Sequence, residues 1–234
     1  MSTFVTRRAA FGIAATAALA SLTACASDIR PLSDPSTPKE QRSYKGELKF
    51  NSYESRGTYV PATSSKKAEN PPKPIPPAKM RAKTTEGMYA AIGFWVASFN
   101  YLILSGDIEP FMAVDINRND IYKAEAFSKL YKSNTGWMYG ADAPVSANLT
   151  EDAPEQVNEH QYRWRATSRY HKKTTIHYTD GRELPMTSLD GNTGDYDFFF
   201  ALKYQDGAWT VWNERAKLAP ISPTSSASSS GASV

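Results

Sequence analysis

Residues 87–106 pass without a single charged side chain, and this run constrains the fold more than any other feature of the chain. A stretch of about twenty apolar residues is long enough to cross a bilayer. It is also long enough to be the central helix of a globular fold. Met88, Ile92, Trp95, Phe99, Leu102 and Ile103 recur mostly at spacings of three or four. That period predicts a helix over residues 87–105 with an apolar stripe toward a core. Gly93, Ser98 and Asn100 interrupt the run, and its aromatics are spread along its length rather than gathered in belts at two interfaces. The buried helix is the preferred reading and the membrane span its rival.

The flanks fit a helix with defined ends. Thr84 or Thr85 can cap its start, and Glu86 suits the positive end of its dipole. Gly106-Asp107 stops it, and Glu109-Pro110 opens a second short helix through Phe111, Met112 and Val114. A third helix is expected over residues 120–132, with Ala124, Phe127, Leu130 and Tyr131 facing inward. After Asn134-Thr135-Gly136 the apolar period changes to alternation. Strands are expected over residues 137–149, 161–167, 170–178, 196–204 and 208–215. Asp180-Gly181 and Asp206-Gly207 are hairpin signals between antiparallel neighbours. In residues 196–204 the even positions Tyr196, Phe198, Phe200, Leu202 and Tyr204 form a core face, with Trp209, Val211 and Trp212 nearby. Helices first and a meander of strands afterwards define an α+β domain over residues 83–219.

Outside that domain the composition changes. Arg7 and Arg8 precede an apolar, alanine-rich run over residues 9–22, and Leu22-Thr23-Ala24-Cys25 closes it. This is the plan of a cleaved export signal, and the tetrapeptide resembles the lipobox of bacterial lipoproteins. Residues 1–24 are read as a lipoprotein signal peptide and Cys25 as the lipid-attachment residue. Cys25 is the one cysteine in the chain, so an intrachain disulfide is excluded. Arg7-Arg8 with Phe11 fits either a twin-arginine signal or an ordinary cationic start. Cleavage removes two positive charges and no negative one, lowering the formal charge from +3 to +1. A nearly neutral exported protein gives no reason to expect a nucleic-acid partner. Residues 25–82 are rich in Pro, Ser and Lys and are read as a disordered, extended spacer. Within it, residues 44–59 have some strand character in Leu48, Phe50 and Tyr53 and are taken as loose. The Ser-rich residues 220–234 are read as a disordered tail.

The order of these elements resembles the NTF2-like superfamily of cone-shaped α+β domains. The resemblance rests on Phe94, Phe99, Tyr101 and Leu102 in the first helix, the Ser105-Gly106-Asp107 break, two further helices, and the final Asp206-Gly207-Ala208-Trp209-Thr210-Val211 hairpin. More narrowly, the chain resembles the DUF6318 family of actinobacterial lipoproteins. Gly57-Thr58-Tyr59-Val60-Pro61-Ala62-Thr63, Ala68-Glu69-Asn70-Pro71-Pro72-Lys73-Pro74, residues 84–107 and Gly136-Trp137 carry that likeness. It implies N-terminal helices packed on a curved antiparallel sheet, and no established activity. The resemblance also implies a cysteine pair just after the second helix. Here that stretch is Asp115-Ile116-Asn117-Arg118-Asn119-Asp120, so no role for a disulfide transfers.

Enzymes of the NTF2-like superfamily hold an acid or base in the cone, often with a tyrosine. Asp107 and Tyr101 are the candidates for such a pocket here, although an aspartate at a helix break is also an ordinary turn former. Arg163, Arg165, Arg169, His171 and Lys173 share odd parity. On one continuous strand they would make a basic, anion-binding strip, or simply a solvated sheet face. Glu151, Asp152, Glu155 and Glu159 lie close enough in sequence to neutralise it. His160, His171 and His177 are too far apart to share a metal, so no metal site and no cofactor is expected. These readings point to a membrane-anchored, non-enzymatic binding module whose partner is a cell-wall polymer, an envelope protein or an apolar small molecule. The alternative is an isomerase- or dehydratase-type enzyme using the cone pocket.

Overall fold

A computed structural model describes residues 43–54, 56–115, 117–189 and 195–215. Cys25, the signal segment, the 190–194 loop and the C-terminal tail lie outside the described residues. Three two-residue strands come first: β1 (Gly46–Glu47), β2 (Tyr53–Glu54) and β3 (Lys73–Pro74). The helices α1 (Thr85–Ser105), α2 (Glu109–Met112) and α3 (Arg118–Lys132) follow. The strands β4 (Gly136–Tyr139), β5 (Val145–Leu149), β6 (Glu155–Gln156), β7 (Gln161–Tyr170), β8 (Thr175–Tyr178), β9 (Glu183–Pro185), β10 (Tyr196–Gln205) and β11 (Ala208–Arg215) complete the fold. It is α+β, as expected.

The helix ends form by the means the sequence offers. The Thr84 side chain accepts the Gly87 N–H at 3.1 Å, capping α1. At the other end Gly106 adopts φ +78° and donates its N–H to the Leu102 carbonyl. A side chain there would be strained, and its Cβ would fall 2.3 Å from Tyr131, so glycine is required.

The main sheet runs in the order β1-β5-β7-β10-β11, with β6 pairing β7 beside it. Every pairing in it is antiparallel. Strands β4-β8-β9 form a second sheet, and β2 and β3 a third. The β10–β11 hairpin turns through Asp206 at φ +53° and Gly207 at φ +77°, the two left-handed residues a tight hairpin demands. Phe198, Phe200 and Leu202 are buried from β10, and Trp209 and Val211 from β11. Trp212 is half-buried on the alternate face.

The single strand expected over residues 137–149 is instead two strands in two sheets. Gly140, at φ +103°, lies between them with the Lys173 carbonyl where a Cβ would sit. The chain turns there because the backbone of a neighbouring turn presses against it. The strand expected over 170–178 is likewise divided. β7 continues to Tyr170, and the Thr174 N–H closes a turn onto the His171 carbonyl at 2.9 Å.

The larger correction concerns the spacer. Residues 43–82 are part of the fold rather than a disordered lead. β1 pairs with β5, and β2 with β3. Tyr44, Leu48 and Phe50 pack on the core. The Tyr44 ring lies 5.0 Å from Tyr89 and 5.7 Å from Trp164. A Cβ at Gly93 would sit 3.2 Å from the Phe50 ring and 3.4 Å from Leu48, so the glycine clears the space these two fill. The prolines stiffen an extended segment, and that segment lies against α1 instead of projecting into solvent.

This strap resolves the ambiguity of the uncharged run. By length and composition alone α1 could cross a membrane. In the fold it is buried on nearly every side, with sheet on one face and strap on the other, and its composition is that of a central core helix. Trp95 is the hub. Its ring lies 5.8 Å from Phe99, 5.3 Å from Phe111 and 5.6 Å from Phe200.

Two outcomes follow. Trp95→Ala should cost about 3–5 kcal/mol in denaturant unfolding; a change within the surface range of about 0.5 kcal/mol would remove this residue from the core. Limited proteolysis should leave residues 43–82 joined to the resistant fragment. A fragment beginning near residue 84 would mean that the strap is not held.

Candidate functional site

Among the described residues the buried carboxylate is Asp115, in the loop between α2 and α3. It is 1% exposed. Its Oδ2 accepts the Trp95 indole N–H at 2.5 Å, and its Oδ1 accepts the Asn117 N–H at 2.7 Å. Burial pushes the Asp115 carboxyl up to about 7, with the nearby Asp120 charge acting in the same direction and both hydrogen bonds opposing. Asp120 is itself raised by burial, and it accepts the Asn213 side-chain N–H at 2.7 Å. The Val211 N–H donates to the Val114 carbonyl at 2.9 Å. Together these contacts fasten Val114, Asp115 and Asp120 beside β11 and cover a sheet edge that would otherwise be open to pairing. Both oxygens of Asp115 are occupied by donors inside the fold, which suits a fastener more than a proton shuttle.

Asp107 and Tyr101 do come together, but around a third residue. Lys73 of β3 pairs with Asp107 Oδ2 at 3.1 Å and lies 5.9 Å from the centre of the Tyr101 ring. Asp107 Oδ1 accepts the Glu109 N–H at 3.0 Å, and its own N–H donates to Ser105 Oγ. This is a turn locked by side-chain bonds, with Lys73 clamping the strap to it. Burial, then the Asp107 charge, raises the Tyr101 hydroxyl. The pair faces the strap rather than a cavity between helix and sheet. On that side Trp95, Phe99, Phe111 and Phe200 fill the space between α1 and β10.

The basic strip is interrupted and largely paired. Arg163 makes a two-point contact with Glu155 at 2.8 and 3.0 Å and lies 5.0 Å from the Phe199 ring centre. Arg169 makes another with Asp195 at 2.6 and 2.8 Å, and Arg165 is 3.5 Å from Asp197. Each guanidinium therefore has a carboxylate in place. Glu155 was foreseeable from the chain order; Asp195 and Asp197 arrive through β10. Lys173 and His171 leave the strip altogether, because β7 ends at Tyr170 and both sit in the following turn.

Among the described residues no three His, Cys, Asp or Glu side chains converge as metal ligands. His177 lies on β8 with its ring 4.4 Å from Trp137. Its Nδ1 is 3.5 Å from Glu183 Oε1, which also accepts the Tyr139 hydroxyl at 3.0 Å. The concavity best placed for a partner is elsewhere. A groove of about 550 Å³ lies between α2 and α3, with Ile108 and Met112 on one wall and Glu125, Lys129, Lys132 and Ser133 on the other.

Sequence reasoning missed both features. Asp115 follows Met112-Ala113-Val114 and precedes Ile116, and an acidic residue set inside an apolar run was the available signal. The groove depends on how α2 meets α3, which no local pattern encodes.

These observations define an α+β domain with aromatic rings packed between its first helix and its main sheet, a buried aspartate fastening its last strand, and an open groove on its helical side. Residues 57–215 match a family of unknown function, DUF6318, and the chain belongs to that family. No curated protein and no solved structure matches the chain.

The raised Asp115 carboxyl makes stability depend on pH with a defined sign. Its folded value, about 7, exceeds the unfolded 3.8, so the folded state holds the proton more tightly. Its contribution is full below about pH 4, declines as pH rises, and is gone above about pH 7. The shift corresponds to at most about 4 kcal/mol. Asp115→Asn keeps an acceptor for the indole and should flatten that decline in unfolding midpoints measured from pH 4 to 8. An unchanged pH profile would mean that Asp115 is not the group responsible.

Proposed function

We propose that this chain is a lipid-anchored lipoprotein on the extracytoplasmic face of the cell membrane, of an actinobacterial kind. Its folded region acts there as a non-enzymatic binding module on an NTF2-like domain. The anchor reading rests on the cationic start at Arg7 and Arg8, the apolar 9–22 run and the Leu22-Thr23-Ala24-Cys25 ending. A diacylglyceryl group on the Cys25 sulfur, followed by cleavage of the signal peptide before it, gives at least two acyl chains. Each buried methylene contributes about 0.8 kcal/mol, enough in sum for stable attachment.

The NTF2-like reading is supported by the order of elements: a long helix, two shorter ones, and long antiparallel strands on which the first helix lies. The observation that carries the binding role is the placement of space. The helix–sheet interface, where an enzyme of that superfamily would keep an acid or base, is filled with aromatic rings. The α2–α3 groove opens outward and combines an apolar wall with lysines. Such a mixture suits a protein surface or an anionic wall polymer more than a reaction.

Cys25→Ser should abolish fatty-acyl labelling and release the protein from membranes; undiminished labelling would exclude the anchor. A photo-crosslinker placed at Met112 in intact cells should capture a specific neighbour. Recovery of nothing but abundant envelope proteins would count against a binding role for the groove.

A further inference from the structure

We infer that the groove-side face of α3 is a self-association surface, and that its occupant is the same face of a second copy of this chain. This rests on the membrane-anchored binding reading above and names the partner. Among the described residues of α3, Tyr122, Glu125, Ala126, Lys129 and Lys132 are exposed, spaced as one stripe along the helix. Tyr122 is 76% exposed and Met112, on the opposite wall of the groove, 49%. Among the described residues Glu125, Lys129 and Lys132 have no ion-pair partner.

The stripe is complementary to itself. When two copies of α3 cross antiparallel about a two-fold axis near Ala126, each Glu125 meets the other copy's Lys129. Each Tyr122 reaches the Lys132 end of the other copy's α3. The small Ala126 allows the helices to approach at the crossing. Knob and hole, and anion and cation, lie on one helix at spacings that a two-fold axis exchanges, which is the condition for an isologous contact. The tyrosine also brings its ring to a lysine that lacks a counter-ion.

The contact is small. Two tyrosines bury roughly 300–500 Å², short of the ~1,000 Å² expected of a stable complex in solution. It therefore belongs on a membrane, where anchored copies share a surface and effective concentration is high.

The test uses the full chain in native membranes. Ala126→Cys places a thiol beside the proposed axis, and Val157→Cys places one at an exposed site in the turn between β6 and β7. The parent, with Cys25 alone, sets the background. A short bis-maleimide should convert Ala126→Cys, and not Val157→Cys, to a species of twice the chain's mass. Adding Glu125→Lys should weaken association roughly tenfold by turning two attractive pairs repulsive. Adding Lys129→Glu as well should restore it.

Equal crosslinking at both sites, none at Ala126→Cys, a product of another mass, or no recovery in the double charge reversal would each overturn the inference. Acyl labelling of the same samples separates the two readings. Labelled protein without the dimer defeats self-association alone, and unlabelled protein defeats the anchor.

Discussion

The structure depends on covering one helix. Residues 87–105 of α1 carry no charge and are buried on nearly every side, so no single sheet can cover them. Sheet side chains such as Phe200 close one face through Trp95. Tyr131 of α3 bonds the Ile103 carbonyl at 2.5 Å and also accepts the Met138 N–H at 2.9 Å, tying α1 to β4. The remaining face belongs to Tyr44, Leu48 and Phe50. Removing that cover would return large apolar surfaces to water, at about 25 cal/mol per Å². A segment with the composition of a linker is thus held by the demand of its neighbour.

Polar contacts decide where each piece of cover is pinned. The Trp209 indole N–H donates to the Ala82 carbonyl and the Tyr204 hydroxyl to the Arg81 carbonyl, each at 2.8 Å, so the last hairpin grips the approach to α1. Lys73 pins the strap at Asp107. Asp115 holds the indole of the central tryptophan and fixes the loop that shields β11. The same burial that makes Asp115 a useful fastener raises its proton affinity. Folding and pH are coupled at the residue that joins α1 to the far sheet edge.

Periodicity made α1, the short α2, the bulk of α3 and the final hairpin readable, since each is specified within its own segment. Thr84, Gly106 and Asp206-Gly207 act over a few residues, and their effects were visible in the chain. What lay beyond reach was non-local. Nothing around Gly140 announces that a carbonyl from residue 173 approaches it. The parity of Arg163, Arg165 and Arg169 was correct, but Asp195 and Asp197 come from the neighbouring strand, and pairing makes the strip nearly neutral. Asp107 was recognised as a turn former, and Lys73, distant in sequence, completes its environment. The strap was misjudged because proline content reports stiffness and does not report what a stiff segment lies on.

The strap also determines how far the domain can stand from an anchor. A tether ending at residue 82 would have been long. On the proposed attachment at Cys25, seventeen residues intervene before Ser43, where the described residues begin, and their contour is at most about 60 Å. Tension on that tether would enter through β1, a two-residue edge pairing, and would strip Leu48 and Phe50 from the groove above Gly93 before stressing the long strands. On the proposed anchoring, such strain would uncover the central helix before it reached the long strands.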